Sequence, residues 1–397
     1  MDNSFVIAGF VLALLVWWIF LPLRAVLHAR KLRFLSALKM DAPAEWPRVS
    51  VLIPAKNEED TLFAAVQSLL QVDYPDFEII LINDRSTDRT GEIAERLEQL
   101  DPRVRRIDIE QLPAGWLGKV HAMQQGVRAS SGEWLLFTDA DVHFAPQALK
   151  KAIGYCFQYR KDFLALFPEL VNIRGLVGLA QAAFGVILLS LLDPTRIADP
   201  ESKAAMGVGA FNLVKKKYID PQAGLEWLRM ELADDAGLGL MMKQRGANPD
   251  ILSGQGLISL DWYPNLTAML NGVLQRCIMG SSYHPLLFAI TCAFMFVCLA
   301  APLFLGCILS SSTPLAWIFV GAYFIPAITM LAGAKNFGIS GYSLWGILPG
   351  YVIILYGMLR SLVSCIHHGG VYWRGNIYSL GELRALQRVK LFNFLRG

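Results

Sequence analysis

Two aspartates one residue apart, Asp139 and Asp141 in LLFTDADVHF (135–144), directly follow an apolar run. On a strand, residues i and i+2 share a face, so the spacing predicts that both carboxylates point the same way. Like charges so placed repel unless a cation lies between them. Magnesium and manganese are commonly held by one or two carboxylates plus phosphate oxygens, which makes a bound divalent cation the natural chemistry for such a pair. The competing reading is structural: one aspartate caps a helix beginning near Pro146 and the other is solvated. A second acidic pair, Asp234 and Asp235, opens ADDAGLGLMMKQRG (233–246). Adjacent carboxylates raise one another's pKa, which suits proton abstraction, although acids at a helix start also complement the helix dipole without any catalytic role.

Such acids need a scaffold. VSVLIP (49–54), FEIILIN (77–83), VRRIDI (104–109) and EWLLFTD (133–139) read as strands, the second and fourth nearly continuous in apolar residues as buried strands are. Helical stretches lie between them near 60–71, 88–100 and 119–130. The alternation predicts an α/β domain with a doubly wound parallel sheet. Ligands of such sheets bind beyond the carboxyl ends of the strands, where PAKNEE, NDRSTD and TDADV all fall. The Gly-x-Gly-x-x-Gly and Walker A patterns are absent, so neither a nicotinamide dinucleotide nor a P-loop triphosphate is the expected ligand.

VSVLIPAKNEE, INDRSTDRT, GWLGKVHAMQQG, TDADV and ADDAGLGLMMKQRG, in that order, resemble the inverting glycosyltransferases of family 2, whose nucleotide-sugar-binding domain is of the GT-A type. The resemblance spans roughly residues 48–280. LPAGWLGKVHAMQQG together with GGVYWRGNIY is most similar to membrane-anchored members associated with hopanoid, carotenoid and ceramide glycosylation.

The resemblance implies that Pro54, Ala55, Asn57 and Glu58 line the nucleotide, with Glu58 near the ribose. It implies that Asp84 accepts from the base, that Lys119 lies near the base or diphosphate, and that Asp141 binds Mg2+ or Mn2+ while Asp139 contacts ribose or metal. Asp235 would be the catalytic base and Asp234 its neighbour. The loop of Gly207 and Gly209 would border sugar and acceptor, glycine letting the backbone approach a ligand. A plain turn role for Asp84 and a solvated helix-start role for Lys119 stay open. Ser86 and Asp88 read as turn and N-cap, and His143 as a bystander. The implied partners are a nucleotide-sugar donor, expected to be a UDP-sugar, and a lipid acceptor. The QxxRW motif of processive synthases has only LQRC (274–277) in its place, so transfer of a single sugar is expected. Transfer to polyprenyl phosphate and a non-catalytic scaffold are the alternatives.

The composition fits a membrane setting. Of 397 residues 54% are hydrophobic and only 17% charged, with a mean hydropathy of +0.41. Residues 5–23 form a charge-free apolar run, preceded by Asp2 and followed by Arg24, His28, Arg30, Lys31 and Arg33. This reads as an uncleaved anchor rather than a signal peptide, with the next domain cytoplasmic. The stretches 286–309, 314–333 and 344–364 read as further spans, giving a multi-pass protein divided at 1–46, 47–280 and 281–397. One plus three spans put the tail outside, yet Arg374, Arg384, Arg388, Lys390 and Arg396 favour the inside. A break at Pro349 and Gly350 would reconcile the two. Residues 176–192 and 262–279 read as interfacial helices, with Arg276 facing phosphate headgroups. A net charge of +3, without Lys/Arg clusters interleaved with aromatics, argues against nucleic acid. Six cysteines without CxxC spacing indicate neither a zinc site nor a disulfide framework.

Overall fold

The computed structural model describes residues 20–309 and 347–390. Most of the 5–23 run, all of 314–333 and Arg396 lie outside the described residues. Two compact units are present: one built from residues 32–171, 194–262 and the tail from Leu386, the other from residues up to Lys31, 172–193 and 263–385.

The first unit contains β1 (Val49–Ala55), α1 (Leu62–Leu70), β2 (Phe77–Asp84), α2 (Thr90–Leu100), β3 (Val104–Ile109), α3 (Gly118–Ala129), β4 (Trp134–Phe137), β5 (Val142–Phe144), α4 (Ala148–Gln158), β6 (Phe163–Phe167) and β7 (Glu169–Leu170). After the second unit's α5 (Gly175–Leu191) it resumes with α6 (Pro194–Ala198), β8 (Asn212–Lys215), α7 (Asp234–Gln244), β9 (Pro249–Ser253) and β10 (Ile258–Leu260). The second unit continues with α8 (Leu266–Asn271), α9 (Pro285–Leu309), α10 (Ile347–His368), β11 (Gly370–Trp373), β12 (Asn376–Ser379) and α11 (Leu380–Leu386).

Seven strands form the main sheet in the order β3-β2-β1-β4-β8-β6-β9. The first four are parallel, as strand–helix alternation predicts. The sheet is not parallel throughout: β8 runs antiparallel to both β4 and β6. An antiparallel neighbour needs no helical crossover on the sheet face, so strand–helix alternation carries no sign of it. Val51, Leu52, Ile79, Leu81, Trp134 and Leu136 are buried at the centre, which explains the continuous apolar runs. Register aligns Ala55 with Asn83 and Leu52 with Phe137, so β1, β2 and β4 end near one edge. A small second sheet, β5-β10-β7, stands beside the main one.

The placement of Asp139 and Asp141 on a strand is overturned. β4 stops at Phe137, and residues 138–141 form a loop and turn leading into β5. Thr138 makes the last β1–β4 bond, its N–H donating to Leu52 O (3.2 Å), and its hydroxyl donates to Ala210 O (2.8 Å). Period-two alternation therefore does not set the directions of the two carboxylates.

In the second unit α10 is long and apolar enough by itself to cross a membrane, and among the described residues it alone is so. The 266–281 segment and the helix starting at Pro285 meet that test only as one pair bent by 109°. Pro349 and Gly350 do not break the last segment, because α10 runs unbroken from Ile347 to His368. Gly350 lets α10 approach the backbone of α5: a Cβ there would overlap Leu179 O and come within 2.9 Å of Ala183 Cβ. α5 cannot be a single membrane crossing, since β6 before it and β8 after it pair in one sheet. The Arg276 guanidinium lies 4.1 Å from the Trp373 ring centroid.

Gly350→Val is expected to destabilise the second unit by about 1–3 kcal/mol through overpacking. Thermal unfolding of the detergent-solubilised protein checks this against Gly381→Ala, where a Cβ meets nothing within 4 Å and the midpoint should not fall.

Candidate active site

The loops after β1 and β2 brace one another. Asn57 takes a left-handed backbone (φ 55°), which asparagine tolerates better than most residues. Its Oδ1 accepts from Thr87 N (2.8 Å), and its own N–H donates to Ser86 Oγ (3.1 Å). Glu58 N donates to Thr90 Oγ1 (2.7 Å) and Glu59 N to Asp88 Oδ2 (3.2 Å), while Asp88 Oδ1 accepts from Thr90 N (3.0 Å). Ser86 and Asp88 are thus occupied in the turn and helix start. Ala55 is buried in the core, so its backbone, not its side chain, is what β1 offers at this edge; Pro54 is half-buried.

Asp84 ends β2 and is buried. Its carboxylate accepts from Arg85 Nε (2.8 Å) and Nη2 (3.1 Å). It also lies against the start of α3, where a Cβ on Gly118 would come 2.5 Å from its Oδ2. One helical turn on, His121 is buried with Nδ1 lacking a hydrogen-bond partner, and its ring meets Trp116 edge-on at 5.7 Å. Burial holds its pKa below the usual histidine range. Sequence reasoning did not single out Arg85 or His121.

The decisive feature is Lys119, in the first turn of α3. Its Nζ lies 2.8 Å from Asp139 Oδ1 and 3.1 Å from Asp234 Oδ2. The cation between the acids is therefore supplied by the chain itself, and Lys119 is not a solvated helix-start residue. Burial works against its charge, but Asp139 and Asp234 outweigh it and raise its pKa.

Gly207 and Gly209 bring the next loop onto the same acids. A Cβ on Gly207 would overlap the Asp235 carbonyl oxygen, and one on Gly209 would come 2.7 Å from Asp139 Oδ2. Gly209 N donates to Asp235 Oδ2 (3.2 Å), and Asn212 Oδ1 holds the loop through Val208 N (2.9 Å). The close approach made by these glycines is to the protein's own acids.

Burial and then Asp234 push the Asp235 pKa above the usual carboxylate range, with Lys119 opposing. Burial also raises that of Asp141, helped by Asp139 and Glu58. Asp141 Oδ1 is buried with no hydrogen-bond partner. Among the described residues no group of three or more His, Cys, Asp or Glu is arranged to hold a metal ion. Asp141, with its orphaned oxygen, and Asp139 nevertheless fit an ion that takes one or two carboxylates and completes its shell with ligand phosphate and water. Lys119, Asp139, Asp141, Asp234, Asp235, Gly207 and Gly209 thus belong to one site that Glu58 also influences, whereas Asp84 is engaged with Arg85.

Residues 50–217 match the protein-family model described as Glycosyl transferase family 2. The chain carries a family 2 glycosyltransferase domain. The match includes Asp84, Lys119, Asp139, Asp141, Gly207 and Gly209 and stops before Asp234 and Asp235. The glycosyltransferase domain has relatives among characterised proteins. A beta-monoglucosyldiacylglycerol synthase from Synechocystis is 29% identical over 249 residues, 57% of this chain and 49% of that protein. A 4,4'-diaponeurosporenoate glycosyltransferase from Staphylococcus haemolyticus is 24% identical over 237 residues, 59% of this chain and 62% of that protein. The chain spans about half the length of the first of these relatives. Among solved structures, a mannosyltransferase from Pyrobaculum calidifontis in complex with GDP-Man and Mn2+ superposes with a TM-score of 0.52 at 17% identity, over 90% of this chain and 99% of that one. The mixed sheet is thus of the GT-A type.

Lys119→Met should destabilise the domain by about 1–3 kcal/mol, between the exposed and fully buried limits for a broken ion pair. In denaturant melts the Lys119→Met/Asp139→Asn double variant should lose less than the sum of the singles by about 0.5 kcal/mol or more. Strict additivity would mean that the 2.8 Å contact carries no coupling.

Proposed function

We propose that the chain is a membrane-associated, inverting glycosyltransferase that moves one sugar from a nucleotide-sugar donor, a UDP-sugar, to the hydroxyl of a lipid. The observation that carries this reading is the gathering of Asp139, Asp234 and Asp235 around Lys119, within a chain whose 50–217 region matches family 2. Two relatives are named for a glucosylated diacylglycerol and a carotenoid acid, both lipids. α10, long and apolar enough to cross a bilayer, is consistent with an acceptor drawn from the membrane.

In this reading Asp235 takes the proton from the attacking hydroxyl. Its raised pKa keeps it a stronger base than an exposed aspartate while leaving it ionised near neutral pH. Gly209 N fixes the carboxylate through its Oδ2. Lys119 pairs with Asp139 and Asp234 beside it. Asn57 and Glu58, in the braced loops, line the nucleotide, and Asp84 accepts from its base. The fold neighbour solved with GDP-Man holds Mn2+. Here Asp141 and Asp139 would hold a divalent cation, Mg2+ or Mn2+, which when bound supplies Lewis-acid stabilisation of the departing diphosphate. The sugar carbon becomes oxocarbenium-like as the hydroxyl attacks the face opposite the leaving group.

The test is a panel of nucleotide sugars offered to the solubilised full chain with manganese or magnesium and lipid acceptors; failure to turn over any donor would sink the reading. Asp235→Asn should lower kcat with hydroxyl acceptors by about 10²–10⁴-fold and leave donor binding intact. Activity that persists in Asp235→Asn with a polyprenyl phosphate would assign the acceptor to that class, whose oxygen is already ionised. In the wild type, kcat should fall as pH is lowered through a midpoint above the ordinary carboxylate range, because the base must be deprotonated and burial with Asp234 raises its pKa. That acid limb should be absent from the residual activity of Asp235→Asn.

A further inference from the structure

Glu231 stands shortly before the acidic pair and takes no part in the chemistry above, yet it is only 1% exposed. A carboxylate so buried is costly unless its oxygens are satisfied. It accepts three backbone N–H groups: Ala233 N at 3.1 Å on Oε1, and Arg388 N at 2.7 Å and Val389 N at 3.0 Å, both on Oε2. The first donor belongs to the residue immediately before Asp234. The other two belong to the tail, which returns to the first unit after α11.

Side chains reinforce the contact. Arg388 Nε donates to Trp227 O (3.2 Å), and its guanidinium lies 5.0 Å from the Trp227 ring centroid. At Gly237, in the first turn of α7, a Cβ would come within 2.7 Å of Leu228, 3.0 Å of Glu231 Cγ and 3.7 Å of Val389 Cγ2. Helix start, carboxylate and tail are thus packed on one another without room for a methyl group. Without the tail, Glu231 would lose two of its three donors.

We propose that Glu231 is a positioning residue that ties tail residues 388 and 389 to the Ala233 amide, and so fixes the start of α7, which carries Asp234 and Asp235. The inference rests on the reading of Asp235 as the base. It has a consequence for topology: the tail stays on the same side of any bilayer as the catalytic sheet. The segment 263–385 then crosses an even number of times or not at all, and three single crossings at 286–309, 314–333 and 344–364 are excluded. The basic Arg388 and Lys390 fall on the side that basic residues favour.

The experiment uses the full chain with Glu231→Gln, which keeps the shape but cannot accept on both oxygens. Amide hydrogen exchange and steady-state kinetics are read together. The expected result is faster exchange at Ala233, Arg388 and Val389 together, with kcat down about 10- to 100-fold and the donor KM within about threefold of wild type. Unchanged protection at 388–389, or faster exchange with kcat intact, overturns the proposal. Should Glu231→Gln fail to fold, Val389→Pro removes a single donor and is read by exchange at Ala233 and Arg388 together with kcat. A tag after the tail, found by protease protection on the face opposite the catalytic sheet, also overturns it. If the wild type turns over no donor, the proposed function fails, and joint loss of protection at the three amides still decides whether the clamp exists.

Discussion

The arrangement depends on one ammonium group placed among carboxylates. Asp139, Asp234 and Asp235 all act on Lys119, and Asp139 also acts on Asp141. Unit charges of like sign 4 Å apart repel by about 4 kcal/mol at an effective dielectric constant near 20, so gathering these acids without a cation would oppose folding. Lys119 removes that obstacle only because three separate loops deliver their groups to it. The start of α3 brings the lysine, the turn after β4 brings Asp139, and the segment leading into α7 with that helix's first residue brings Asp234. Backbone bonding links the first and third directly, since Leu117 N donates to Arg229 O at 2.7 Å.

Close approach is the second constraint. Around these ion pairs the backbones also come close to one another. Gly207 meets the Asp235 carbonyl, Gly209 meets Asp139 Oδ2, and a Cβ on Gly239 in α7 would overlap Met206 O. Each lacks a side chain where one would collide with the segment facing it. Asn212 then holds the loop from the neighbouring strand through Val208 N. An antiparallel β8 beside β4 thus matters to the chemistry: it carries the asparagine that fixes the glycine loop over the acids.

Much of this was legible in the sequence, and the reasons for the remainder are physical. β2, β4 and helices α1 to α3 announce themselves because buried parallel strands are continuously apolar and their helices amphipathic. The carboxyl-edge rule then located PAKNEE, NDRSTD and TDADV correctly as loops at one edge. The strand argument for Asp139 and Asp141 failed, because the strand pairing ends at Phe137 and no periodicity marks that point. Lys119 was visible as a residue of interest, but its partners were not, since no local pattern encodes a contact with Asp139 or Asp234. Arg276 was read from its apolar surroundings, and the Trp373 ring it packs on arrives from a distant hairpin. β8, only four residues long, falls below what period-two patterning can separate from a loop.

Chain connectivity adds a constraint that no single motif carries. The catalytic sheet is built from segments on both sides of residues 172–193, and the first unit is rejoined by the tail after residues 263–385. Each excursion leaves one compact unit and returns to it. For α5 the return is short: 17 residues, which at 1.5 Å per residue span about 26 Å, less than a hydrocarbon core of about 30 Å. Both its length and the pairing of β6 with β8 therefore direct α5 to lie along α10, where Gly350 gives it room. Apolar composition alone would count α5 among the spans; the pairing of the strands before and after it in the chain decides otherwise.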